Sequence, residues 1–255
     1  MTPVLPALRI PAVSARLREW PRDSEDRNRY ADAIFGTIAD RYDLLVRLLS
    51  FGQDGRWKRK IVGSLRSGTT GARHLDLATG TAGIPLLIRR RAFAGAIVGL
   101  DRSRAMLANA RRKRGEISGI DFVRGDLNRL PFRRMSFHAV TMGYGLRYLS
   151  DIKATLAEIL GLLTPGGVLV CLDFGLPRRR WNRRLSLGYL LTLGTIWGLV
   201  LHRQADTYWH IAESLLAYPG QDAVAAMMRE VGFVGVTLEE HLGGSSVVAR
   251  GLKPG

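Results

Sequence analysis

Acidic residues end three short apolar stretches of the chain, at spacings suited to binding a small ligand with hydroxyl or cationic groups. The first stretch holds Asp76 and runs into a loop of small residues, 78–83; Asp101 ends the second, 25 positions later, and Asp126 follows the third. Small residues let the backbone approach a ligand closely, and a carboxylate at this distance can accept ribose hydroxyls. The pattern predicts a nucleotide-type site at the carboxyl ends of parallel strands.

The loop distinguishes between classes of nucleotide-binding protein. Its sequence Ala-Thr-Gly-Thr-Ala-Gly lacks the lysine and Ser/Thr that follow the glycines of a P-loop. It matches the spacing of a dinucleotide fingerprint only with alanine in the first position. An acid before such a loop suits S-adenosylmethionine, because that cofactor carries an ammonium and a sulfonium. We therefore predict a class I S-adenosylmethionine-dependent methyltransferase.

Strand and helix signals alternate from residue 73 onward and place these acids in one fold. The predicted strands are 73–77, 96–100, 120–124, 136–142, 167–173, 234–240 and 245–250. The predicted helices are 83–93, 103–114, 151–162 and 221–231, and a turn is predicted at 164–167. The predicted fold class is α/β: a doubly wound, mostly parallel, Rossmann-like sheet of seven strands. Its last two strands should form an antiparallel hairpin at the edge.

Three further parts are predicted around this sheet. Residues 1–29 contain four prolines and no continuous apolar run, so we expect a flexible extension and no secretory signal. Helical spacing of apolar residues predicts an N-terminal helical cap over 30–66. The methyltransferase domain then spans 67–255 and carries a hydrophobic helical insertion, or lid, at 178–218.

The charge of the chain is strongly basic, with 38 Lys and Arg against 22 Asp and Glu, a net charge of +16. This excess favours an anionic surface, either phospholipid or nucleic acid, although each arginine run can also be solvated surface. No nucleic-acid partner is predicted, because an Asn-Pro-Pro-Tyr-type motif is missing. The single cysteine, Cys171, excludes a disulfide framework and a cysteine metal cluster and fits a reducing cytoplasm; no metal is predicted.

Residues 185–201 of the insertion are 17 positions without a charge. A membrane-spanning helix needs about 20, and a span here would separate residues 221–255 from the rest of the sheet. The sequence therefore favours a lid that touches the bilayer and covers an apolar substrate, with a buried core helix as the alternative. Gly194 and Gly198 have the spacing of a membrane helix contact.

Short motifs spread over about residues 33 to 253 are shared with a known family. The most specific are Ser50-Phe51-Gly52, Gly145-Leu146-Arg147 and Ala212-Glu213-Ser214. With them the chain resembles the ubiquinone/menaquinone biosynthesis C-methyltransferase family. The resemblance implies S-adenosylmethionine as cofactor and methylation of a ring carbon of a polyprenyl quinol. Together with the basic runs and the lid, it predicts a cytoplasmic enzyme, peripheral on the inner face of the membrane, whose partners are an anionic surface and either a second copy or a quinone-biosynthesis complex.

The resemblance also implies a cofactor site, position by position. The matched residues are Asp76, Ala78, Thr79, Gly80, Ala82, Asp101, Arg102, Met106, Asp126 and Leu127. The acid before the loop and the loop backbone would hold the methionine part, Asp101 the ribose hydroxyls, and the last four residues the adenine. For Asp101 and Asp126, capping of a helix or turn is the alternative.

Catalysis of this kind depends on the acceptor, because the sulfonium donor is already activated. A quinol carbon becomes nucleophilic when a neighbouring hydroxyl loses its proton, so a cation or donor that stabilises the phenolate is useful. The resemblance assigns this role to Arg147, working through a water, and we take Tyr144 and Tyr148 as the next candidates. A surface ion pair is the alternative for Arg147.

Departures from the family motifs remove three polar groups expected near the acceptor. They lie at Val46, at Ala82-Gly83, where the family has Gly-Asp, and at Tyr148, where it has Asn. These changes leave two other functions open. One is methylation of another hydrophobic phenolic acceptor, and the other is a catalytically silent subunit that organises a quinone-biosynthesis complex.

Overall fold

A seven-stranded sheet forms the centre of the computed structural model, which describes residues 21, 23–65, 71–91 and 95–255. The strands are β1 Arg73–Leu77, β2 Ala96–Asp101, β3 Ile120–Arg124, β4 Phe137–Gly143, β5 Leu163–Phe174, β6 Val234–His241 and β7 Ser246–Leu252. Their order is β3-β2-β1-β4-β5-β7-β6, and β7 runs antiparallel to the other six strands. The predicted fold class and edge hairpin are confirmed.

Helices cover both faces and one end of this sheet. They are α1 Ser24–Ile38, α2 Tyr42–Leu49, α3 Asp54–Ser64, α4 Gly83–Arg90, α5 Arg104–Arg114, α6 Ile152–Leu162, α7 Arg180–His202, α8 Trp209–Ala217 and α9 Gln221–Glu230. The strand order reverses between β1 and β4, which leaves a crevice at their carboxyl ends where ligands of open α/β sheets bind. Buried leucines such as Leu75, Leu77 and Leu169 fix the sheet against the helices beneath it.

Two boundaries differ from the sequence-based prediction. Helix α1 begins at Ser24, so the last part of the predicted 1–29 extension is helical, while residues 1–20 and 22 lie outside the described part of the chain. The predicted turn at 164–167 lies inside β5, where Gly166 has a φ of 71° and the pairing with β4 shifts register. A glycine tolerates this conformation without a side-chain clash, so the strand continues through it.

The apolar insertion forms α7, whose inner face packs on α2 and α8. Within the described residues, α7 is the one helix long and apolar enough to cross a membrane, and 28% of its most apolar window is buried. A Cβ at Gly198 would collide with the carbonyl oxygen of Gln204, and one at Gly194 would lie 3.3 Å from the Cβ of Tyr208. The two glycines therefore allow close packing of α7 against residues 204–208 of the same chain. This contact takes the place of the predicted contact with another membrane helix.

Candidate active site

A cleft of about 690 Å³, including the part open to solvent, lies above the carboxyl ends of β1, β2, β3 and β4. Most of the predicted site residues line it: Ala78, Gly80, Asp101, Arg102, Met106, Asp126, Leu127, Tyr144 and Tyr148. The other four, Asp76, Thr79, Ala82 and Arg147, lie behind this surface. The structure therefore brings together the cofactor residues expected from separate parts of the sequence.

Asp76 is buried beneath the loop and is held in place by two hydroxyls. Thr141 donates to Oδ1 at 2.5 Å and Thr79 to Oδ2 at 2.7 Å, and the side chain is 2% exposed. Burial raises the pKa of Asp76 to about 7, although both hydroxyls and the nearby Lys58 act in the opposite direction. A cationic ligand would favour the carboxylate form, so this acid is suited to hold an ammonium group nearby.

The loop after Asp76 adopts left-handed backbone conformations at three positions. The φ angles are 51° at Ala78, 54° at Gly80 and 65° at Ala82. Such angles are uncommon for alanine and concentrate at ligand sites. The amide of Thr79 donates to the carbonyl of Leu100 at 3.0 Å and fixes the loop against the neighbouring strand. Thr79 and Ala82 thus shape the loop, whereas Ala78 and Gly80 face the cleft.

Asp101 joins the loop to the start of α5. Its Oδ2 accepts from the Gly80 amide at 2.7 Å and its Oδ1 from the Ser103 amide at 2.9 Å. The N-cap of α5 is Ser103, whose hydroxyl accepts from Met106 N at 3.3 Å. Capping alone therefore does not account for Asp101, because a different residue performs it. The carboxylate remains partly exposed in the cleft, with lone pairs free for hydroxyl donors.

One end of the cleft is closed by charged groups that connect it to α1. Arg102 donates from Nη1 to Asp126 and from Nε to Asp32, both at 2.9 Å, and the Asn28 amide donates to Asp126 at 3.0 Å. Sequence reasoning missed both: Asn28 lies before the predicted helical cap, and Asp32 lies inside the cap, where no local pattern shows that it reaches the cleft. A signal existed: Asp23 precedes two acidic residues, which is typical of a helix start.

Aromatic rings line the other end of the cleft. Phe35 contacts Tyr148 edge to face at 5.1 Å between ring centroids and Tyr42 at 6.2 Å. The Tyr144 hydroxyl donates to Asp54 Oδ1 at 2.9 Å, and Asp54 forms an ion pair with Lys58, also at 2.9 Å. Flat apolar surface with few free polar groups is suited to a planar aromatic acceptor.

Lys58 gives a physical account of the carboxylate missing at position 83. A Cβ at Gly83 would lie 3.2 Å from the Lys58 ammonium, so an acid in this position would contact that cation. In this chain the ammonium pairs instead with Asp54, four residues earlier on α3. The Lys58 ammonium therefore has an acidic partner in this chain without a carboxylate at position 83.

Arg147 is buried behind the aromatic wall, so the alternative of a surface ion pair is wrong. Its Nε donates to Asp173 Oδ1 at 2.6 Å, and Nη1 donates to the Ser214 hydroxyl; the two charged side chains are 1% and 4% exposed. Burial opposes the charge of Arg147, but Asp173 together with Tyr148 and Tyr218 keeps the arginine's pKa above its ordinary value. The guanidinium carbon lies 5.3 Å from the Tyr148 ring centroid and 5.0 Å from that of Phe174.

We expect the substitution Asp101→Ala to weaken S-adenosylmethionine binding at least tenfold. The change removes the acceptor expected for two ribose hydroxyls, a loss on the order of 1–3 kcal/mol, and frees the Gly80 amide. Calorimetric titration measures the effect. Asp121→Ala, at an exposed acid on β3 outside the cleft, is the matched control. Unchanged affinity in Asp101→Ala would contradict the ribose assignment.

The cleft suits S-adenosylmethionine in the acid behind the loop and in the acid at the end of β2. Comparisons with known proteins agree with that fit. The model of the ubiE/COQ5 methyltransferase family matches residues 23–253. A demethylmenaquinone methyltransferase of Thermus thermophilus is 39% identical over 78% of this chain and 91% of its own.

The chain is also similar in sequence to a second relative over most of its length, and in fold to a solved structure. The ubiquinone/menaquinone biosynthesis C-methyltransferase of Geobacter sulfurreducens is 36% identical, over 91% of each chain. A phosphoethanolamine N-methyltransferase of Haemonchus contortus, solved in complex with S-adenosyl-L-methionine, superposes with a TM-score of 0.62 at 15% identity. That alignment covers 92% of this chain and 60% of the other, and it shows a shared fold.

Proposed function

The chain belongs to the ubiE/COQ5 methyltransferase family, and we propose that it transfers a methyl group from S-adenosylmethionine to a ring carbon of a polyprenylated quinol. The observation that supports this most is the cleft itself, which has acids and an intact loop at one end and aromatic rings at the other. When bound, the cofactor supplies an activated methyl group. The protein then has to orient the acceptor ring and stabilise its phenolate.

Within this proposal, Tyr144 and Tyr148 contact the acceptor, and Arg147 acts as a positioning residue behind them. Burial raises the pKa of Tyr148 to about 12, against the opposite effect of Arg147, so its hydroxyl keeps its proton. Arg147 and Ser214 lie close enough to that hydroxyl to oppose the rise in its pKa. The guanidinium thus fixes the ring that lines the cleft and places a positive charge one side chain away from the phenolate.

The proposal is tested by incubating the purified protein with radiolabelled S-adenosylmethionine and reduced quinones. The quinones are extracted from cells that lack this protein, so that their rings still lack the methyl group. Label on a quinone ring carbon is expected. Cofactor binding without methylation of any quinol would indicate a silent organising subunit, and label on a phenol lacking the prenyl chain would indicate a different acceptor. Mass spectrometry of the product identifies the ring position.

We also propose that the protein works at the inner face of the membrane, with α7 lying in the membrane surface. Trp181, Leu185, Ile196 and Leu199 are 57%, 62%, 44% and 52% exposed, and helical spacing puts them on one side. Exposed arginines flank the start of this apolar stripe, and Arg180 and Arg184 form no ion pair with any residue that the structure describes. An amphipathic helix with basic flanks is typical of interfacial binding.

Binding to anionic vesicles should therefore fall only partly in high salt. Each basic residue near an anionic leaflet contributes about 1 kcal/mol that salt screens, whereas buried hydrocarbon on α7 resists salt. The double substitution Leu185→Glu and Leu199→Glu should abolish the salt-resistant fraction in flotation. Val234→Glu, at a residue 49% exposed on β6, is the matched control. Complete release of the unmodified protein by salt would contradict an inserted α7.

A further inference from the structure

A second cleft, of about 940 Å³ including the part open to solvent, lies between α2, α3, α7 and the segment 242–246. Phe51, Trp57, Phe174, Leu185 and Tyr189 contribute its largest side chains. Every residue that lines it is uncharged, within the part of the chain that the structure describes. This composition excludes a ligand recognised by charge and favours an apolar one.

The polar groups along the second cleft are largely occupied by the protein itself. The Ser186 hydroxyl donates to that of Ser245 at 2.9 Å, across the opening between α7 and the last hairpin. The Tyr189 hydroxyl donates to the Leu49 carbonyl at 3.2 Å, and Ser50 accepts from Asp54 N at 3.1 Å. A ligand in this cleft therefore meets hydrocarbon surface and few free donors. This environment suits a hydrocarbon chain that has no polar groups.

The mouth of the second cleft is apolar and exposed. Phe51, Leu185 and Leu242 are 64%, 62% and 43% exposed, and Phe51 stacks on Tyr189 with 4.9 Å between ring centroids. Leu185 also belongs to the apolar stripe of α7. The mouth thus opens on the same surface that we propose for membrane contact, where its exposed hydrocarbon would face lipid.

The inner end of the second cleft reaches the wall of the cofactor cleft. Phe174, at the end of β5, lines the second cleft, and its ring centroid lies 5.3 Å from that of Tyr144, which lines the first. One aromatic layer separates the two spaces. A substituent on an acceptor ring in the first cleft would therefore enter the second by moving the Tyr144 and Phe174 rings apart.

We propose that the second cleft binds the ring-proximal isoprene units of the acceptor's tail and admits them from the bilayer through the mouth at Phe51, Leu185 and Leu242. This inference rests on the proposed function, because it assumes a prenylated acceptor. It adds a binding site for the tail that is separate from the cofactor residues. Burial of the tail then contributes to selecting prenylated over tail-less quinols.

Photolabelling tests the site without any methyl transfer. A farnesyl alcohol carrying a diazirine should label peptides containing Phe51, Trp57 or Tyr189, and excess farnesol should compete. Ser186→Trp fills the cleft and should lower this labelling at least fivefold; Ser245→Phe blocks it from the opposite wall. Leu199→Trp, on the exposed side of the same helix, is the control and should label normally. The proposal would be overturned if both blocking variants were labelled as strongly as the unmodified protein, or if the label were found on other peptides.

Kinetics with quinols of different tail length give a second, separable readout. Between a tail-less quinol and one with three isoprene units, kcat/KM should rise about tenfold or more in the unmodified protein. In Ser186→Trp this ratio should fall close to one while the rate on the tail-less quinol stays unchanged. An unchanged ratio would contradict the tail site. If the unmodified protein methylates no quinol, the proposed function fails, and the photolabelling result still decides on the cleft.

Discussion

Replacing Arg147 with alanine should lower the free energy of unfolding by about 3–5 kcal/mol, because it leaves a buried carboxylate without its partner. Asp173 is 3% exposed, and only its Oδ1 accepts from Arg147. Its Oδ2 has no hydrogen-bond partner among the described residues, and the Phe174 amide, which donates to Oδ1 at 2.7 Å, would be left as a neutral donor to the buried charge. Urea unfolding of the two proteins measures the difference.

A double variant separates this structural role from an effect on the reaction. Replacing Arg147 by methionine and Asp173 by leucine removes both charges and keeps most of the volume, which should restore most of the stability. We expect methylation in a single turnover to stay slower by on the order of 10²-fold, as when one donor is removed from an oxyanion site.

Two results would contradict a role for Arg147 in the reaction. Arg147→Lys keeps the charge but loses the planar geometry that reaches Asp173 and Ser214 together, so it should be slow as well. If the stabilised double variant methylates at the normal rate, Arg147 serves only the fold. A defect confined to cofactor affinity would likewise contradict a role toward the acceptor, since Arg147 does not line the cofactor cleft.

The alternation of strands and helices and the loop after β1 could be predicted because local signals specify them. Apolar runs of strand length alternate with helical spacing, and such alternation permits few topologies. The acids at positions 76, 101 and 126 then meet at one edge of the sheet because the carboxyl ends of parallel strands lie together. These features depend on short stretches of sequence, each of which carries its own pattern.

The position of Arg147 could not be predicted in this way. Its burial depends on Asp173 at the end of β5 and on Ser214 in α8, residues 26 and 67 positions away. Only tertiary packing brings these three groups together, and each alone has the sequence appearance of a surface residue. The same limit applies to Asn28 and Asp32, which reach the cleft because α1 packs across it.

The affinity for S-adenosylmethionine should fall about tenfold for each pH unit below about 7. Burial raises the pKa of Asp76 to about 7, so in the free protein the carboxyl gains a proton below that pH. If the carboxylate holds the ammonium of the cofactor, binding must first remove that proton, and affinity rises with pH until the group is ionised. Calorimetric titration between about pH 5.5 and 8 measures the slope.

The contribution of Asp76 to the stability of the free protein should show the opposite dependence. Asp76 holds its proton more tightly in the folded chain than in the unfolded one, where its pKa is near 3.8. Its contribution to the unfolding free energy is therefore fully present below that value and is lost as pH rises through about 7. The substitution Asp76→Asn should remove this contribution, which urea unfolding at several pH values detects.

The buried histidines do not affect the cofactor-binding test, and comparison with Asp76→Asn cancels their own pH-dependent contribution to stability. Burial lowers the pKa of both His74 and His210 to about 3, so they stay neutral through the whole range. Asp76→Asn should bind the cofactor at least tenfold more weakly at pH 8, with no slope below 7, because its amide neither titrates nor carries charge. Asp101→Asn should weaken binding yet keep the slope. If the unmodified protein binds equally well at pH 5.5 and 8, Asp76 does not hold the ammonium.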